Sequence, residues 1–177
     1  GPLRLKPGTV TDNSQVIHYA FIKNEKFPLR NEAQWRYTAY LGTKTIGEVD
    51  LSRIFGEPEP YTVAYAFTLL YVSEELDRLT LYTGGDDYLK VWLNGNLVHT
   101  YNMAPRNGAI DQDRIKGIML QKGYNLLVVK VVTVNRKWRF FLRFADADDA
   151  PMKFSQQTIS AGELEKQFRH LEQEVGN

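Results

Sequence analysis

Hydrophobic and polar residues alternate along this chain in short runs, and clusters of Gly, Pro, Asn and Asp separate one run from the next. A period of two marks a strand with one buried face, and many such runs at close spacing predict an antiparallel β-sandwich. The runs fall near residues 16–22, 34–41, 62–72, 76–83, 87–94, 96–101, 115–120, 124–134 and 137–146. Helical periodicity is confined to the end. There "SAGELEKQFRHLEQEV" places Ser160 to cap, Glu163 three residues later as in a capping box, and Leu164, Phe168, Leu171 and Val175 along one stripe. The expected fold is an all-β, jelly-roll sandwich over 16–150, with an extension at 1–15 and a loop and amphipathic α-helix at 151–177.

The stretch "TGGDDYLKVWLNGNLVHTY" (83–101) carries the strongest local signal. Asn94-Gly95 predicts a type I′ hairpin turn, because both residues tolerate positive φ. A two-residue loop pairs Leu93 with Asn96, Trp92 with Leu97 and Val91 with Val98. Leu89, Val91, Leu93 and Val98 then face the core, while Tyr88, Lys90, Trp92, Leu97 and His99 form a mixed outer face. In "WRFFLRF" (138–144), Trp138, Phe140, Leu142 and Phe144 share one side and Arg139, Phe141 and Arg143 the other. "LLVVKVVTV" (126–134) is apolar on both sides, as suits a central strand covered twice, with the terminal helix a candidate cover.

Composition narrows the function. At 177 residues, 43% of them hydrophobic, the chain can bury one substantial core. Lys and Arg number 22 against 21 Asp and Glu, a net charge of +1, so no field exists to steer a polyanion and nucleic acid is not an expected partner. No apolar run reaches the roughly 20 residues that span a bilayer, so membrane insertion is not expected either. With no cysteine there are no disulfides or thiolate metal sites. Gly1-Pro2 reads as the scar of a tag-cleaving protease, so the chain is expected to be a segment cut from a larger protein. Nucleophile elbow, Walker loop and dinucleotide fingerprint are all missing from the sequence, and His18, His99 and His170 have no metal-ligand spacing, so the reading is not an enzyme. Glu57 and Glu59 alternate with Pro in "GEPEPY" and read as a rigid exposed loop.

Several segments carry a resemblance: "VDLSRIF" (49–55), "AYAFTLLYVSEE" (64–75), "LYTGGDDYLKVWLNGNLVHTY" (81–101), "DQDRI" (111–115), "QKGYNLLVVKV" (121–131) and "WRFFLRFADADDAP" (138–151). Together they resemble bacterial jelly-roll modules of the galactose-binding-domain-like kind, attached to large secreted polysaccharide-processing and surface proteins. They are also similar to the sugar-binding domain beside β-galactosidase-type catalytic domains. The resemblance implies a non-catalytic carbohydrate-binding module that targets a larger parent protein to a glycan, outside the cell or in a bacterial envelope, with a polysaccharide and other domains of the parent as partners. Ligand-binding residues on this reading are Asp87, Tyr101, Arg106, Asp111, Asp113 and Trp138, combining aromatic stacking with hydrogen bonds to hydroxyls. The "DD" pair is similar to flocculin-type lectin domains, where adjacent acids help hold calcium. That likeness implies calcium as cofactor, with Asp86 and Asp87 as its ligands. Tyr88 stands where the lectin pattern has Gly, and the competing role for the acids is to organise a corner by accepting backbone N–H bonds. Asp111 and Asp113 are open to a similar choice between ligand and Arg-paired loop anchor. The alternative function is a structural or protein–protein interaction sandwich whose interfaces are the mixed face and the terminal helix.

Overall fold

The computed structural model describes residues 19–24, 35–38, 47–135 and 137–154, so the predicted helix at 160–175 lies outside the described residues. The chain is an antiparallel β-sandwich. Its elements are β1 (Tyr19–Asn24), β2 (Trp35–Thr38), β3 (Glu48–Asp50), α1 (Ser52–Phe55), β4 (Thr62–Val72), β5 (Leu76–Gly85), β6 (Tyr88–Leu93), β7 (Asn96–Tyr101), β8 (Asp113–Leu120), β9 (Gly123–Thr133) and β10 (Arg139–Ala145). One sheet has six strands in the order β2-β1-β4-β9-β6-β7, the other four in the order β3-β10-β5-β8. From β3 onward, every strand connection except the β6–β7 hairpin crosses from one sheet to the other, as in a jelly roll.

Alternation builds the core as the sequence predicts. Leu89, Val91 and Leu93 of β6, and Leu127, Val129 and Val131 of β9, meet Leu81 of β5 and Phe140, Leu142 and Phe144 of β10. Strand β9 is also apolar on its other side, where Leu126 and Val128 are buried as well. On that side Lys130 is half-buried and stands directly across from Lys90 of β6, with the Tyr65 ring 5.5 Å from its ammonium. Burial first, and the Lys90 charge second, hold Lys130 below the ordinary lysine range.

Two features depart from the sequence reading. Strand β3 and helix α1 fall in a stretch too short for any periodicity. They form because Gly47 turns the chain at φ 74, Leu142 N–H bonds Gly47 O, Leu51 N–H bonds Trp138 O, and Asp50 Oδ1 accepts Ser52 N–H at 3.0 Å. The hairpin turn is as expected, with Asn94 at φ 49 and Gly95 at φ 80. Its register shifts partway, however: Trp92 pairs with Leu97, but Val91 pairs with His99. Val98 is left over as a bulge, and His99 turns inward instead of lying beside Trp92 on the outer face.

Candidate functional site

Register brings one set of strand ends together. The starts of β4, β6, β8 and β10 and the ends of β5, β7 and β9 all lie at one end of the sandwich, because Thr62 pairs with Thr133, Tyr88 with Val132, Leu89 with Tyr101, Thr83 with Asp113 and Phe140 with Gly85. This end carries the β5–β6 corner, the long loop of residues 102–112 and the β9–β10 turn. The residues named from the sequence as ligand- or metal-binding, Asp86, Asp87, Tyr101, Arg106, Asp111, Asp113 and Trp138, belong to it or border it.

The two corner acids are fully buried, Asp86 at 1% exposed and Asp87 at 0%. Asp86 accepts Gly108 N–H at 2.6 Å through one oxygen and Arg139 N–H at 3.0 Å through the other, with Arg139 Nε 3.5 Å away. Asp87 accepts the N–H groups of Val134 and Asn135 and the side-chain amide of Asn135, the last two at 2.8 and 2.7 Å. Its own N–H donates to Arg106 O at 2.8 Å. Asp86 thus ties the 102–112 loop to β10, and Asp87 ties the corner to the β9–β10 turn. Burial lifts the Asp86 carboxyl above the ordinary aspartate range, more than the Gly108 N–H and the Arg139 charge pull it down. Calcium needs six to eight oxygen ligands. The pair faces N–H donors instead, and among the described residues no group of three or more His, Asp or Glu converges on one point, so the arrangement does not fit a calcium shell.

Beside the corner, Arg106 makes a two-pronged ion pair with Asp113, its Nη1 2.9 Å from Oδ1 and its Nη2 on Oδ2. His99 Nε2 lies 3.0 Å from the same Oδ2, a contact that exists because of the β7 bulge. The Arg106 guanidinium stacks 3.5 Å over the Tyr101 ring. Burial alone would raise the Asp113 carboxyl, but the Arg106 bonds and charge, with His99, hold it below the ordinary range. The cluster links edge strand β7 of one sheet to edge strand β8 of the other. Asp111 sits apart on the outer face of the four-stranded sheet, paired with Arg143 at 2.9 and 2.7 Å, and Arg143 covers the Tyr82 ring at 4.0 Å.

Trp138 is 1% exposed and packs on Phe55 of α1, with ring centroids 5.5 Å apart. The structure therefore places it in the core, away from solvent. Tyr101 is half-buried with one face under Arg106, so neither ring presents the bare face that stacking needs. Residues the sequence reading did not single out complete the end: Arg139, which also reaches Glu48 and Gly108 O, and the exposed Asn107, Gln112, Asn135 and Lys137. Lys137 Nζ bonds Asn107 Oδ1 at 3.2 Å, and Gln112 bonds Asn107 O at 2.7 Å. Gly84 lets the loop pass close, since a Cβ there would stand 2.1 Å from Ala109 O.

Such a sandwich, with its connections gathered and pinned at one end, defines a fold class that solved structures share. One likeness is to an anti-sigma factor domain-containing protein, at 15% identity and a TM-score of 0.55, over 86% of this chain and 48% of that one. Another is to a β-glucosidase from Kluyveromyces marxianus, at 14% identity and a TM-score of 0.53, over 88% of this chain and 18% of that one. A third is to the PA14 domain of an antifreeze protein, at 12% identity and a TM-score of 0.40, over 85% and 92%. The chain spans about half of the first protein and under a fifth of the second. No family model matches the chain, and no curated protein is similar to it in sequence. At these identities the first two likenesses show a shared β-sandwich fold.

Proposed function

We propose that this chain is a non-catalytic glycan-binding module that holds the larger protein it belongs to against a polysaccharide. The observation that carries the reading is the pinned end of the sandwich: two buried carboxylates fix a long loop and a turn, and exposed amides and an ammonium at Asn107, Gln112, Asn135 and Lys137 stand over them. Sugar hydroxyls are recognised by such donors and acceptors held in place beforehand, because preorganisation lowers the entropy lost on binding. Affinity is modest on this reading, since each hydroxyl and each amide must be desolvated to pair. The likeness in fold to a β-glucosidase fits it.

Calorimetric titration against soluble plant, algal and microbial polysaccharides tests the proposal, with Asn107→Ala and Lys137→Ala as site variants. Binding to one class, weakened about fivefold or more by either variant, supports it. Silence across the whole panel overturns it. A second reading, a sandwich that docks other protein domains, is favoured by one observation: the Tyr101 and Trp138 rings that stacking would use are covered or buried. Silence in the titration moves the assignment to that reading.

A further inference from the structure

The segment "GEPEPY" ends in a residue that sequence pattern passed over. Tyr61 is 70% exposed, and among the described side chains it is the one aromatic ring in the exposed class. Its backbone is left-handed at φ 63, a conformation that is an outlier for a bulky residue and that glycine adopts freely. Three hydrogen bonds hold it there. Tyr61 N–H donates to Thr133 O at 2.6 Å, and Thr62 closes the preceding turn on Glu59 O through its N–H at 3.2 Å and its hydroxyl at 2.6 Å. Pro58 and Pro60 stiffen the approach.

The place matters as much as the strain. Thr133, the residue that holds Tyr61, immediately precedes the Val134 and Asn135 amides that Asp87 grips, and its hydroxyl bonds Lys137 O at 2.7 Å. Tyr61 is therefore anchored to the same turn that carries exposed Asn135 and Lys137. A strained backbone that holds an aromatic ring out toward solvent, on the end of the sandwich that the buried acids pin, is where a recognition residue is to be sought. A tyrosine ring offers an apolar face matched to the axial C–H groups of a pyranose, and a phenol hydroxyl that stays in water or meets a neighbouring sugar.

We propose that Tyr61 is the stacking platform of the glycan site, taking a pyranose ring with an axial C–H face while Asn135 and Lys137 meet its hydroxyls. The proposal rests on the glycan-binding reading. Its test compares wild type, Tyr61→Phe and Tyr61→Gly by calorimetry against the same polysaccharide panel, with urea unfolding of all three. Tyr61→Gly relieves the left-handed backbone, so it should unfold at the same or a higher urea concentration than wild type. Against a polysaccharide that wild type binds, it should lose at least about tenfold in affinity, while Tyr61→Phe stays within about threefold. Tyr61→Gly binding within threefold of wild type overturns the platform and leaves the glycan reading standing. A wild type that binds no polysaccharide overturns both.

Discussion

Replacing Asp87 by Ala measures how much of this end is held by one carboxylate. The substitution removes the acceptor for Val134 N–H, Asn135 N–H and the Asn135 amide at once. A hydrogen bond to a charged group contributes roughly 1.5–3 kcal/mol, and a donor left buried costs the full desolvation of that group. Asn135 is exposed and its freed N–H groups turn to water, so its share falls at the low end, whereas Val134 is half-buried. With the two bonds from Asn135 together counted at about 1.5 kcal/mol and the Val134 bond at about 1.5–2.5 kcal/mol, the three come to about 3–4 kcal/mol. Asp87 also sits at φ 58, where Ala has no side-chain oxygen to ease the conformation, which adds about 1 kcal/mol. Equilibrium urea unfolding should therefore show Asp87→Ala about 4–5 kcal/mol less stable than wild type, with a melting midpoint lower by about 10 °C or more. Asp87→Asn keeps one carbonyl oxygen and the tolerance for positive φ, and should fall between the two. Asp148→Ala, on the exposed turn after β10, should stay within about 0.5 kcal/mol of wild type. An Asp87→Ala variant within about 1 kcal/mol of wild type, at an unchanged m-value, would refute the account of the corner.

Three further outcomes follow from the same geometry. The Arg106–Asp113–His99 cluster predicts a pH dependence of definite sign: the Asp113 carboxyl is lowered in the fold, so its stabilisation is complete above the ordinary aspartate range and is lost as pH falls from about 4 through the lowered value. Urea unfolding at pH 3 to 5 should show a smaller loss of stability on acidification in Asp113→Asn than in wild type, and equal slopes would contradict the pairing. Lys90→Glu replaces a like charge directly across from Lys130 with an opposite one and should raise stability by about 0.5–1 kcal/mol, measured at low salt. If Asp86 and Asp87 act as corner anchors, calcium or a chelator should move the melting temperature by less than about 1 °C; a rise of several degrees in calcium would make them metal ligands.

The strands were legible because each has one face to bury and therefore alternates. β4 and β7 match the sequence reading at both bounds, and β5, β6, β8, β9 and β10 differ by a residue or two. Alternation cannot show a bulge, which adds a residue without altering composition, so His99 lies on the opposite side of β7 from the one alternation assigns it, while Trp92 and Leu97 pair as alternation predicts. Elements as short as β3 and α1 have no period to read and are set by contacts with β10 and Trp138. At the site, sequence could rank Trp138 and Tyr101 as candidate rings, but exposure is a tertiary property: one lies under α1 and the other under Arg106. Tyr61 has no signature in the sequence, because positive φ in a residue other than Gly, Asn or Asp leaves no mark there.

The adjacent acids show why a motif with the right atoms is not yet a site. A carboxylate in water can meet a metal or a sugar hydroxyl; one buried at 0–1% exposure and already facing backbone N–H groups can meet neither without releasing a loop. What Asp86 and Asp87 supply is position. Through Gly108 and Arg139 they hold the 102–112 loop against β10, and through Val134 and Asn135 they hold the turn that in turn anchors Tyr61. Groups able to contact a ligand are therefore the neighbours of the acids, which are exposed, uncharged or singly basic, and carry no motif of their own. Substitutions at the acids should accordingly lower stability and ligand affinity together, whereas substitutions at Tyr61, Asn107 and Lys137 should lower affinity alone. That separation distinguishes a scaffolded binding end from a metal centre, in which the acids would control affinity first.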